Sequence, residues 1–139
     1  MAGDWTTRSE ITGTRPQRAL AYADKMAEIV NGETDESWDA LLPLIDVDRF
    51  VRKGNERTGM DWQAYRPMLE QWRAHSGNYE KTFHGASEAG NFVYVDLDEK
   101  STDKNGSVTT LRSISIYEFD EQDRIIALDM IMGFHQSPT

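Results

Sequence analysis

The sequence predicts an α+β domain in which helices come first and an antiparallel meander follows, covered by them. Three observations carry this. Apolar residues recur at helical spacing only up to about residue 76. After Gly77 the period changes to two, in four successive runs. The joints between those runs are short, whereas a parallel crossover needs roughly a dozen residues or more, so the strands must fold back on one another.

Residues 1–13, rich in Thr, Ser and Gly, read as a flexible tail, 14–135 as one domain and 136–139 as a second tail. Thr14-x-x-Gln17 has the form of a capping box, with Pro16 in the first turn. Ala19, Tyr22, Ala23, Met26, Ala27, Ile29 and Val30 then share a helical stripe, and Asn31-Gly32 stops it. Asp35 is placed to cap a second, short helix with Trp38, Leu41 and Leu42 on one face, ended by Pro43. A short strand is expected in 47–53 and a polar loop in 54–59. The third helix covers 61–75, with Tyr65, Met68, Leu69 and Trp72 at i, i+3, i+4 and i+7. Pro67 leaves its start open between residues 61 and 67. Strands follow over 79–88, 92–100, 108–119 and 125–134.

Leu111, Tyr117 and Phe119 share a face with Ser113 and Ser115, and Ile114 and Ile116 lie opposite. In the last strand alternation puts Ile126, Leu128, Met130, Met132 and Phe134 on one face and Ile125, Ala127 and Ile131 on the other. Both faces are apolar, whereas a solvated outer face alternates more cleanly. A second subunit on the outer face, making a homodimer, is the economical cover.

The 139 residues carry 15 Lys+Arg against 24 Asp+Glu, a formal net charge of −9. That charge disfavours nucleic acid and anionic lipid as partners. No apolar run approaches the roughly 20 residues of a membrane span. With Cys 0 there is no thiol nucleophile, disulfide or Cys-ligated metal. Three histidines without i, i+4 spacing give no metal-site pattern, and neither metal nor cofactor is expected. The polar amino terminus does not read as a signal peptide, so the expected location is cytoplasmic, and Asn105-Gly106-Ser107 reads as a turn.

Three stretches resemble the nuclear transport factor 2-like superfamily, which includes SnoaL-like cyclases, ketosteroid isomerase, limonene epoxide hydrolase and scytalone dehydratase. Residues 19–32 look like its first helix. Thr82-Phe83-His84, with Ser87, Gly90 and Val93-Tyr94 downstream, look like the epoxide hydrolase's second hairpin. Phe119-Asp120-Glu121-Gln122-Asp123-Arg124-Ile125 is similar to the last hairpin, usually Phe-Asp-x-x-Gly-Lys/Arg-Ile. The resemblance implies a cone, the cystatin-like roll: a curved antiparallel sheet covered by three N-terminal helices, with an apolar pocket at one end.

The catalytic patterns of these relatives do not carry over by position. The isomerase's helix-one tyrosine falls near Lys25, with Tyr22 one turn earlier, and its protonated aspartate falls at Ser115. Its basic aspartate falls in 50–53, which has no carboxylate. The last-strand aspartate of the epoxide hydrolase and cyclases falls at Met130, whose neighbour Asp129 faces the other way. Scytalone dehydratase and related lyases use pocket histidines, and His84 fits that role here. The register that the resemblance implies turns His84 and Thr82 inward and Phe83 outward. Asp24 and Glu80 are its possible carboxylate partners.

The candidate catalytic residues are therefore His84, as general acid/base, and Tyr22, as a hydrogen-bond donor from the helical stripe. Met26, Trp38, Arg52, Trp72, Ser115, Tyr117, Met130 and Met132 are the candidate substrate-binding residues, with Arg52 able to grip a carboxylate. Asp129 reads as a polar residue on the outer face or as one of an interface pair, such as with Arg112, and Asp96, Asp98 and Glu99 read as a solvated strand end. The expected function is a SnoaL-like, cofactor-independent proton transfer, of dehydratase, isomerase or cyclase type, on a small apolar molecule. The alternative is a non-catalytic ligand-binding or dimeric assembly module.

Overall fold

The computed structural model describes residues 5–55 and 58–134. Helix α1, Thr14–Val30, is followed by a 3₁₀ helix, Trp38–Leu44, the short strand β1, Val51–Lys53, and helix α2, Trp62–His75. Four long strands complete the chain: β2 Ser76–Ala89, β3 Phe92–Asp103, β4 Val108–Phe119 and β5 Ile125–Phe134. They form one sheet in the order β1-β5-β4-β3-β2. The meander is antiparallel as expected, but β1 joins β5 in parallel, so the sheet is mixed.

Local chemistry decides where each helix begins. The predicted capping box at Thr14 does not form: Gly13 is the N-cap, and the Gln17 side chain donates to the Ile11 carbonyl instead. A side-chain carbon on Gly13 would lie 3.1 Å from Glu88 Oε1, so an acid from β2 already stands at the positive end of α1. Gly32, at φ +69°, stops α1 in the left-handed region. The second helix is 3₁₀ rather than α; Ser37, not Asp35, caps it, and Pro43 lies inside it. Asp61 accepts from the Ala64 amide at 2.9 Å and starts α2 well before Pro67, which sits within the helix.

Two bulges set which side chains face the helices. Glu118 pairs with Ala127 but Phe119 pairs with Ile125, leaving Ile126 as an extra residue. Ile125 therefore turns inward with Leu128, correcting the alternation read from the sequence. On β2, Phe83 pairs with Leu97 and Gly85 with Asp96, so His84 is the extra residue. Tyr79 and Phe83 pack on the core and Thr82 is exposed, the reverse of the register that the resemblance implied.

The core lies between the helices and the inner face of the sheet. Tyr22, Ile29, Trp38, Leu41, Phe50 and Phe119 are each at most 2% exposed. The β4–β5 turn is held by Asp120, whose Oδ1 accepts the Gln122 and Arg124 amides, both at 2.9 Å. Burial alone would raise the Asp120 carboxyl, but those amides and the Arg124 guanidinium outweigh it and hold it below its ordinary range. Asp123 takes φ +60° where the resembling hairpins carry glycine, and its carboxylate binds Arg15 at 2.8 Å. The expected amino-terminal tail is docked from residue 5 onward: Thr6 pairs with Ala86, residues Arg8–Glu10 form a 3₁₀ turn, and Arg8 pairs with Asp24. Residues 1–4, 56–57 and 135–139, which include the expected end of the domain and the expected tail 136–139, lie outside the described residues. Among the described residues no helix is long and apolar enough to cross a membrane.

Candidate functional site

A half-enclosed cavity of about 240 Å³ opens between α1, α2 and the inner face of the sheet. Its size suits a ligand smaller than those of typical sites, which run to roughly 300–1,000 Å³. Ala23 and Met26 reach it from α1, and Tyr65, Met68, Leu69 and Trp72 from α2, each set at helical spacing. The sheet supplies Ser115 and Tyr117 from β4, Leu128, Met130 and Met132 from β5, and Arg52 from β1. Seven of the eight expected binding residues thus line it: Met26, Arg52, Trp72, Ser115, Tyr117, Met130 and Met132.

The other three candidates lie elsewhere. Trp38 is fully buried behind the wall and stacks on Trp72, with ring centroids 6.2 Å apart. Tyr22 is fully buried too, and Tyr117 stands edge-on to it at 5.9 Å. Its hydroxyl has no partner among the described residues, and burial pushes its phenol well above the ordinary range. His84 is on the outside, sharing the outward parity of the exposed Glu80 and Thr82. Its Nε2 lies 2.8 Å from Asp98 Oδ2, both side chains being largely exposed. Neither expected partner serves it: Asp24 binds Arg8 and Lys81, and Glu80 is exposed. Nor does Asp129 pair with Arg112, which grips the buried Asp96 through two hydrogen bonds of 3.0 and 2.6 Å.

The acidic group of the cavity is Glu99 of β3. Tyr79 donates its hydroxyl to Oε1 and Ser113 donates to Oε2, each at 2.5 Å. A carboxylate has about four lone-pair directions, so two hydroxyls leave it free to accept more. Burial first, and then the neighbouring carboxylate, push the Tyr79 phenol far above its ordinary range, so Tyr79 stays a donor. Trp72 holds Tyr79 in place, its ring edge-on at 5.1 Å. A line of support therefore runs from Trp38 through Trp72 and Tyr79 to Glu99. Sequence reasoning missed Glu99 by treating it as one of three neighbouring acids. Alternation along the strand was the available signal, since Val93, Val95 and Leu97 share its parity and are buried.

The second charged group is Arg52. Its guanidinium lies over the Tyr65 ring, 5.5 Å from the centroid, and Nη1 donates to the Lys53 carbonyl at 2.6 Å. Burial raises the Tyr65 phenol in spite of that cation. Glu99 on β3 and Arg52 on β1 line the same cavity, with β4 and β5 between their strands. Among the described residues no cluster of His, Asp or Glu is placed to hold a metal ion.

No protein-family model matches the sequence, and no curated protein matches it. Solved structures do. A protein from Shewanella putrefaciens CN-32, assigned as a SnoaL-like polyketide cyclase, superposes with a TM-score of 0.71 at 11% identity, over 88% of this chain and 91% of that one. An epoxide hydrolase/cyclase-like enzyme, SalBIII, of pyran ring formation in the polyether salinomycin gives 0.69 at 15%, over 86% and 90%. A nuclear transport factor 2-like protein of unknown function from Exiguobacterium sp. 255-15 gives 0.65 at 15%, over 81% and 98%. Identities this low speak to architecture, and they agree with the cone built up above: the chain has the nuclear transport factor 2-like fold.

Proposed function

We propose that the chain is a small-molecule enzyme that moves a proton on an apolar substrate, with Glu99 as the base. The observation that carries this reading is a carboxylate on the wall of an apolar cavity, oriented by two hydroxyls at 2.5 Å. Met130, Met132, Leu128 and Trp72 surround the substrate and thin out water, which strengthens any charge interaction inside. Glu99 takes a proton from carbon beside a carbonyl and returns it at a second position. The outcome is an isomerisation, or a dehydration or ring closure where a leaving group or electrophile is in reach. Side-chain hydroxyls and a carboxylate carry such chemistry by themselves. The cyclase and epoxide hydrolase names among the structural neighbours support a small-molecule enzyme of this class.

The test is deuterium exchange in D₂O with a panel of cyclohexanone, acetophenone and phenylacetone, followed by NMR. Protein-dependent exchange in at least one ketone is expected, reduced about 100-fold or more in Glu99→Gln. Exchange no faster than in buffer for the whole panel, or exchange unchanged in a folded Glu99→Gln protein, overturns the catalytic reading. The alternative then stands: a module that binds a small ligand without converting it.

The same proposal includes a homodimer through the outer face of the sheet. On the face that carries no helix, Ile114 pairs with Ile131 and Ile116 with Tyr94, and Asp96 and Asp129 stand on their other sides. Ile131 is 51% exposed. A second copy would cover these apolar side chains with the same mixed surface.

A further inference from the structure

The cavity has a charge at each end, and only one of the two charges is answered. Glu99 receives two hydroxyl hydrogen bonds. Arg52 is on the same cavity with no carboxylate of the described residues within ion-pair distance, Glu99 included. Its Nε is sealed from solvent and has no acceptor among the described residues. A half-buried guanidinium whose Nη1 reaches only the Lys53 carbonyl, and whose sealed Nε has no acceptor, gains charge-assisted hydrogen bonds when an anion arrives.

The surroundings hold this guanidinium where it is. Arg52 and Met60 exchange backbone hydrogen bonds of 2.8 and 2.9 Å, which fixes the strand beneath it. Asn55 takes the Met132 amide and carbonyl at 2.8 and 2.7 Å, tying the following loop to β5. Gly54 makes the room: a side-chain carbon there would lie 2.8 Å from Arg52 Nη1. The Tyr65 ring supports the planar face of the group.

We propose that the ligand of this cavity is an apolar carboxylate whose head binds Arg52 and whose hydrocarbon body runs along Met132, Met130 and Trp72 toward Glu99. The proposal rests on the cavity being the functional site, and it adds the class and orientation of the substrate. Charge sets the orientation, since the acid head is attracted at the β1 end and repelled by Glu99 at the β3 end. The atoms nearest Glu99 are then carbons remote from the acid group.

Octanoate and its neutral counterpart octanamide are suitable probes, titrated calorimetrically into the full chain. Octanoate is expected to bind at least tenfold more tightly than octanamide. That preference is expected to vanish in Arg52→Met and to shrink in Gly54→Ala, where the guanidinium is displaced but its charge kept. The second variant serves if Arg52→Met does not fold. Equal binding of the two probes, no binding of either, or a preference that survives in both variants overturns the proposal. Its failure is separable from failure of the catalytic reading. Octanoate preference with Glu99-independent exchange removes catalysis and keeps the carboxylate. Glu99-dependent exchange without octanoate preference does the reverse.

Discussion

Tyr79 donates to Glu99 from a diagonal position across β2 and β3. Its register partner is Ser101, and Glu99 lies two residues along on the same face. A diagonal of about 7 Å is what a phenol spans, so strand register places this contact. Replacing Tyr79 with Phe keeps the ring against Trp72 and removes the donor. The expected result is a roughly tenfold loss of ketone exchange, smaller than the loss in Glu99→Gln, with the circular dichroism spectrum unchanged.

Four buried phenols couple stability to alkaline pH. Burial raises Tyr22, Tyr65, Tyr79 and Tyr117 above the ordinary 10.0. In the unfolded chain they ionise near 10, while in the fold they keep their protons. Their contribution is therefore fully present below pH 10 and lost as pH climbs above it, by up to roughly 1 kcal/mol per pH unit for each. Urea midpoints are expected to be level between pH 8 and 9.5 and to fall steeply beyond about 10. A midpoint flat to pH 11.5 would show these hydroxyls to be solvated.

Asn31 closes the end of α1 onto β2. Its side-chain amide takes both the carbonyl and the N–H of Tyr79, each at 2.8 Å, as a strand neighbour would. Asn31→Ala leaves two backbone groups beside the cavity unpaired and is expected to cost about 1–3 kcal/mol in chemical unfolding. Amide exchange at Tyr79 should accelerate by more than the global loss accounts for.

His84→Ala is expected to leave ketone exchange within about twofold of wild type. Stability should move by no more than about 1 kcal/mol, because the His84–Asp98 pair is exposed. A large loss of exchange would restore the histidine to the site.

Ile131→Asp puts a charge on the outer face beside Ile114. Light scattering at micromolar concentration is expected to give a dimer for the wild-type chain and a monomer for the variant. A wild-type monomer would remove the homodimer.

Much of this architecture was legible in the residues. The switch of period at Gly77 and the turns at Gly90, Gly106 and 120–124 place four strands within a few residues of where they are found. The cavity wall was legible too, because Met26, Trp72, Met130 and Met132 follow helix and strand parity. What alternation does not report is an extra residue. The bulge on β5 reverses Ile125 and Ile126 with no glycine or proline at the inserted position. His84 was misplaced for another reason: the resemblance set the facing of the whole strand one residue out, and Thr82 and His84 point outward together. Glu99 was hidden differently: Asp96 and Asp98, on the opposite parity, made it look like one member of a solvated run. The parallel pairing of β1 depends on contacts across the fold, which three residues do not encode locally.

The Thr6–Ala86 bridge and the Asn31 clamp meet on the same free border of the sheet. Thr6 exchanges both backbone hydrogen bonds with Ala86, at 2.9 and 3.1 Å, and Asn31 does the equivalent at Tyr79. Trp5 stands over Gly85 between them, where a side-chain carbon would come within 3.0 Å of it. A strand from another molecule would have to displace all three to add to β2. Edge-to-edge growth, the usual route by which a long exposed strand recruits its own copies, is blocked there by the chain itself.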